Sequence, residues 1–182
     1  MADMAFDFVR QPPLTGRVHA SSGVALTVAR DACRMSLRAR DTAVPALNEK
    51  LGLELPRRPK SSATSGSRTA LWLGPDEWLV FDERSDPITD LVCTQGLFSA
   101  VDISHRNTAI MITGPQASDV LNAGCPQDLS LAAFPAGACS RTVFGKAEVV
   151  LFRVKPTVFR LEVWRSFSTY AFDYLTDAAK SL

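Results

Sequence analysis

The side chains best suited to nucleophilic or metal chemistry are four cysteines, Cys33, Cys93, Cys125 and Cys139, and two histidines, His19 and His105. A structural zinc ion takes about four ligands, and a catalytic one takes three plus water. The six candidates are scattered, with no Cys-x-x-Cys pair. That spacing argues against a zinc knuckle, and equally against a disulfide framework. Cys125 and His105 could act as a thiol–imidazole pair if the fold joined them, with Cys139 as the other candidate nucleophile. Reduced, buried, structural cysteine is much the commoner use of such residues.

Two short stretches bring chemically active side chains together. The first is Asp102-Ile103-Ser104-His105-Arg106-Asn107. Asp102 closes a strand, where its carboxylate can accept neighbouring backbone N–H groups or pair with Arg106. The second is Trp164-Arg165. Trp and Arg are enriched at interface hot spots, since each joins a large contact area to directional donors. Alternation puts Trp164 on the strand face opposite Val163, beside Arg160 and Glu162. It is then either an exposed subunit contact or a ring covered by the final helix. Gly114-Pro115 lies outside any Gly-x-Gly-x-x-Gly pattern, so no flavin or nicotinamide fingerprint is present. Residues 56–67 are basic and Ser-rich, but lack a helix start and so do not make a phosphate loop. They read as a flexible loop.

At 182 residues the chain suits one domain, or two small closely packed lobes at 34–100 and 101–182. Hydrophobic residues make up 46% and charged residues 21%, as in ordinary globular proteins. A net charge of +1 gives no field for nucleic acid or an anionic membrane. Apolar runs such as 149–152 are far below a membrane span. The opening residues hold acids where a signal peptide holds bases. A cytoplasmic location is expected.

These groups need strands and helices to position them. Residues 1–33 show little periodicity, with breaks at Pro12-Pro13 and Ser21-Ser22-Gly23. They read as an N-terminal arm, irregular by itself or ordered against a partner. From residue 34 a single α+β domain is expected. Residues 34–40 alternate, with Met35, Leu37 and Ala39 inward. A helix follows with Val44, Leu47 and Leu51 on one stripe, capped by Asp41 or Thr42 and ended by Gly52. Strands are expected at 69–73, 77–81 and 97–103, and a helix from Asp86-Pro87 with Ile88, Leu91 and Val92 on one face. Residues 108–113 make a buried strand. Gly114-Pro115 then starts a helix carrying Ala117, Val120 and Leu121. Further strands are expected at 137–144, 149–154 and 157–164, the last two as a hairpin. In the last strand Arg160 and Glu162 form the polar face. A C-terminal amphipathic helix carries Phe167, Tyr170, Ala171, Tyr174, Leu175 and Ala178. Helices fall between antiparallel strands rather than alternating one for one. The class is therefore α+β, with mixed, mainly antiparallel sheets.

The combined pattern is Asp-x-Ser-His-Arg-Asn at 102, Gly-Pro-x-Ala-x-x-Val-Leu at 114, Gly-Cys-Pro-x-Asp-Leu at 124, Phe-Pro-x-Gly-x-Cys-x-Arg-Thr at 134 and Leu-Glu-Val-Trp-Arg-Ser-Phe at 161. It resembles the gamma subunit of heterotetrameric sarcosine oxidase over residues 70–180. More distantly it is similar to the folate-binding domain of the aminomethyltransferase family of glycine cleavage. The resemblance implies a layered α+β fold and a non-catalytic accessory role beside alpha, beta and delta subunits. It implies a complex that oxidises sarcosine to glycine, hydrogen peroxide and a one-carbon unit. FAD, FMN, NAD and zinc would sit on partner subunits, and tetrahydrofolate on the large subunit. No catalytic, cofactor or metal residue is carried over to this chain. The acidic cluster of the aminomethyltransferases is reduced here to Glu148, next to Lys146. That departure weakens the alternative of a stand-alone folate-binding protein. The interface candidates are His105, Arg106, Arg141, Trp164 and Arg165.

Overall fold

The computed structural model describes residues 13–182. In chain order its strands are β1 (Val18–Ala20), β2 (Ala25–Val28), β3 (Cys33–Ala39), β4 (Ser62–Ser65), β5 (Arg68–Gly74), β6 (Glu77–Asp82), β7 (Phe98–Asp102), β8 (Asn107–Thr113), β9 (Cys139–Phe144), β10 (Ala147–Lys155) and β11 (Val158–Trp164). The α-helices are α1 (Val44–Leu51), α2 (Ala117–Asn122) and α3 (Ser168–Lys180). One sheet has the order β1-β2-β8-β11-β10-β9 and the other β4-β5-β6-β3-β7. Every described pairing is antiparallel. This is the α+β class expected from the order of elements.

Three apolar layers follow from strand alternation, because successive side chains point to opposite faces of a sheet. Met35, Leu37 and Ala39 of β3 join Trp78 and Val80 of β6 under Leu47 and Leu51 of α1. Phe159, Leu161 and Val163 of β11 join Val149 and Leu151 of β10 under Val120, Leu121, Phe172 and Leu175. The remaining faces meet between the sheets, where Leu71, Leu79 and Phe81 pack on Cys139, Val150 and Phe152. The result is helix, sheet, sheet, helix. Strands in the middle are covered on both sides, so alternation of burial fails where β6 and β10 run through the centre.

Several local expectations need correction. Part of the proposed N-terminal arm is sheet: β1 and β2 form a hairpin, and β2 pairs with β8. These strands are too short to show a period. Residues 1–12 lie outside the described residues. The proposed loop at 56–67 contains β4, paired with β5. Pro56 before it accepts a 2.7 Å hydrogen bond from the indole N–H of Trp78. Ser and Thr side chains at a sheet edge give no apolar signal, so β4 resembled a loop. The helix expected from Asp86 shrinks to a 3-10 turn at Thr89–Leu91, and Val92 is exposed. α1 has no side-chain cap; Asp41 instead pairs with Arg57 at 2.6 Å. α3 buries Phe172 and Ala179, while Phe167 and Tyr170 stay partly exposed.

Gly114 explains how the N-terminal hairpin docks. Its φ is +135°, and a Cβ there would lie 2.3 Å from the Gly23 carbonyl oxygen. The Gln116 N–H donates to that same oxygen at 3.1 Å, and the Gly114 N–H donates to Thr157 at 2.9 Å. Three connections therefore meet where only glycine fits. Gly114→Ala is expected to destabilise the fold by about 2 kcal/mol and lower the melting temperature by about 5 °C. An unchanged thermal melt would show that the hairpin can retreat without cost.

Candidate functional site

The polar face of β11 is not on the surface. Arg160 and Glu162 are buried between the sheets, as is Arg34 from β3. Glu162 uses both carboxylate oxygens: Oε2 accepts Arg34 Nε at 2.7 Å and Oε1 accepts Arg160 Nε at 2.9 Å. Arg160 reaches on to Glu83 at 3.3 Å, and its guanidinium lies 4.3 Å from the centre of the Phe81 ring. Arg34 also donates to the Ala32 carbonyl at 2.9 Å. Alternation in β11 and β3 predicts that these charges share a face, but not that a second sheet covers it. Deleting one member of such a network leaves buried charge uncompensated. Glu162→Ala is therefore expected to cost about 3–5 kcal/mol, read as a drop in the urea midpoint. An unmoved midpoint would refute the network's role.

A second ionic centre lies at the end of β6. Asp82 accepts from the hydroxyls of Ser67 and Ser85 and from the Arg84 N–H. It also pairs with Arg68 at 3.1 Å. Burial opposes its ionisation, but the hydrogen bonds from Ser67, Arg84 and Ser85 outweigh that and lower its pKa to about 2. An unfolded aspartate titrates at about 3.9. The folded pKa is the lower one, so this stabilisation is complete above about pH 4 and is lost as pH falls through about 2. Asp82→Asn should remove about 2 kcal/mol at neutral pH and flatten the acid limb of a stability–pH curve. Wild-type and variant curves that stay parallel below about pH 4 would contradict this.

The sequence-predicted interface residues gather at one end of the sandwich. The Arg106 guanidinium stacks 5.4 Å from the centre of the Trp164 ring, and its Nε donates to Asn107 at 3.2 Å. The Arg165 N–H donates to the Arg106 carbonyl at 2.7 Å, which fixes the two chain turns together. Trp164 is 41% exposed, so α3 does not cover it. Arg141, ion-paired with Glu77, lines the same small cleft as Arg106, Trp164 and Glu148. His105 and Arg165 line a larger cleft of about 420 Å³ on the other side of the turn. Arg30, Arg34 and Arg84 line it together with the acids Asp31, Asp82 and Glu83. Asp102 takes the backbone option: its carboxylate accepts the Ser104 N–H at 2.8 Å. Hydrogen bonds from Ser104 hold its pKa below the usual carboxylate range.

The candidate thiols are not placed for catalysis. Cys139 lies between the sheets, and burial pushes its thiol up to about 12. Its Sγ donates to the Ser61 carbonyl at 3.1 Å. Cys125 packs in the apolar layer below α2 and α3 and is absent from the cleft that His105 lines. A thiolate is the nucleophilic form, and the surroundings of Cys139 disfavour it. Among the described residues no group of His, Cys, Asp and Glu is arranged to hold a metal ion. No described helix is long and apolar enough to cross a membrane.

Comparison with known proteins gives a consistent picture. A family model described as "Sarcosine oxidase, gamma subunit family" matches residues 37–181. Sarcosine oxidase subunit gamma from Corynebacterium sp. (strain P-1) is 32% identical over 137 residues, which cover 73% of this chain and 68% of that one. The Arthrobacter sp. protein of the same name is 33% identical over 144 residues, with the same coverage of each. Among solved structures, a chain of the heterotetrameric sarcosine oxidase from Corynebacterium sp. U-96, in complex with pyrrole 2-carboxylate, superposes with a TM-score of 0.86 at 26% identity. That match covers 94% of this chain and 95% of the other. The glycine cleavage system aminomethyltransferase T from Bartonella henselae shares the fold at a TM-score of 0.63 and 11% identity, over 84% of this chain and 45% of its own.

Proposed function

The chain belongs to the sarcosine oxidase gamma subunit family, and from that membership we propose that it is a non-catalytic, structural subunit of a heterotetrameric sarcosine oxidase. Alpha, beta and delta subunits are its partners. The complex oxidises sarcosine to glycine, hydrogen peroxide and a one-carbon unit in the cytoplasm. FAD, FMN, NAD and zinc are held by the partner subunits, and tetrahydrofolate by the large one. The observation that carries this reading is the likeness, over 94% of this chain, to one chain of a solved heterotetrameric enzyme.

The chemistry of the site supports an architectural role. Glu162 is saturated by two arginines, and Cys139 is held as a thiol. What the molecule presents outward is Trp164 with Arg106 stacked on it, flanked by Arg141, His105 and Arg165. A large exposed ring backed by a planar cation is the residue chemistry that anchors protein interfaces. We assign these five residues to the partner-facing surface.

Affinity purification of the native complex through this chain tests the reading. Larger subunits with flavin absorption in the blue should co-purify. The Arg106→Ala, Trp164→Ala double variant should recover them about thirtyfold less at an unchanged melting temperature. A colourless, solitary protein that binds reduced folate on titration would overturn it in favour of a stand-alone folate binder.

A further inference from the structure

Among the described residues no strand pairs with the outer edge of β7 in the five-stranded sheet. Natural proteins protect sheet edges with short strands, charges, proline or bulges. β1 is three residues long, β9 carries Arg141, and β4 follows Arg57, Arg58 and Lys60. β7 reads Phe98-Ser99-Ala100-Val101-Asp102 and pairs with β3 without a bulge. It has no lysine, arginine or proline. Its one charge, Asp102, is turned back onto the Ser104 N–H. Leu97 beside it is 69% exposed and Val101 is 53% exposed.

The direction of the backbone groups is fixed by two hydrogen bonds. The Arg40 N–H donates to the Leu97 carbonyl, and the Ile103 N–H donates to the Arg34 carbonyl. Alternate residues of a strand turn both backbone groups to opposite edges. Leu97, Ser99, Val101 and Ile103 therefore face β3, while Phe98, Ala100 and Asp102 turn their N–H and C=O groups outward. Among the described residues no turn, loop or side-chain hydrogen bond reaches those six groups.

We propose that β7 pairs with an extended strand of a partner subunit, so that the five-stranded sheet continues across the subunit boundary. This rests on the accessory-subunit reading and names one contact within it. The partner strand is uncharged along the paired stretch. It is apolar where it lies beside Phe98 and Ala100, whose side chains pack toward the layer under α1. Val101 pairs with Ser36, and Ser36 lines the same small cleft as Arg106 and Trp164. The open edge thus runs into the face already assigned to a partner, and one polypeptide can cover both. A second copy of this chain is a poorer occupant. Five paired residues make a contact only about 17 Å long, and that strand alone buries far less than the roughly 1,200–2,000 Å² of a stable interface.

Ala100→Pro removes an outward N–H and leaves the β3 ladder to Ser99 and Val101. The variant in the full chain should melt within about 3 °C of wild type and recover its partners about tenfold less. Hydrogen exchange on the wild-type complex gives a second readout. The amides of Phe98, Ala100 and Asp102 should exchange about a hundredfold more slowly in the complex than in the free chain. If the variant fails to fold, this exchange measurement decides alone. Equal exchange in both states, or full partner recovery by a folded variant, overturns the proposal. A homodimer of the isolated chain that Ala100→Pro dissolves would overturn the choice of occupant. If wild type recovers no partner at all, the accessory-subunit reading falls first and the strand pairing falls with it.

Discussion

The structure depends on one buried carboxylate. Glu162 sits between two sheets with an arginine on each oxygen, one from its own strand and one from the opposing sheet. A buried charge is tolerated only when it is paired and hydrogen-bonded. Glu162 balances one of the two arginines, and Glu83 at the rim balances the other. Arg34 can reach Glu162 only when β3 stacks over β11 in a particular register. Apolar contacts between the sheets would allow sliding; this contact does not. A buried ion pair is weak evidence of net stability, since desolvation offsets much of the attraction. Its consequence here is geometric: it fixes how the two sheets sit on one another.

Other arginines do the same for the irregular chain. Arg68 joins Asp82 and Asp90 and donates to the Leu51 carbonyl at 2.7 Å, so the end of α1, the end of β6 and the turn at Thr89–Leu91 share one cation. Among the described residues Arg153 has no carboxylate partner. It lies 4.4 Å from the centre of the Phe159 ring and donates to the carbonyls of Leu129 and Phe134. That holds the long connection between α2 and β9 against the sheet. Burial lowers the pKa of Arg153, yet an arginine remains charged across any ordinary pH range. The planar fork, with several donors in fixed directions, lets one side chain satisfy two carbonyls of a segment that has no regular ladder.

What could be read from the sequence follows from which signals are local. β3, β8 and α2 are legible because each has a buried side set by a simple period: Met35, Leu37 and Ala39; Ile110 and Ile112; Ala117, Val120 and Leu121. Gly52 and Gly114 mark their turns for steric reasons that hold anywhere. β1, β2 and β4 are hidden because strands of three or four residues show no period. The burial of Arg160 and Glu162 is hidden for another reason. Alternation assigns them correctly to one face, but whether that face meets water or a second sheet depends on residues far away in sequence. The interface candidates are read from the sequence by residue type alone, which says nothing of how they meet. That Arg106 stacks on Trp164 depends on β8 and β11 pairing so that Asn107 lies opposite Trp164.

These constraints together determine which end of the sandwich stays uncovered. Helices cover the two outer faces, and the sheets cover each other's inner faces over most of their length. The exception is the end where Trp164, Val101 and Val143 stay exposed. There the inner faces, built like a core, open to solvent. Arg141 and Glu77 form an ion pair between the sheets at that end and line the cleft there. A protein that had only to fold alone would gain by closing this seam with apolar side chains. An ion pair there in place of apolar side chains leaves the Trp164 ring and the β7 edge exposed. The buried Glu162 network is the counterpart of that opening, because it keeps the stacking fixed while one end of the sandwich stays uncovered.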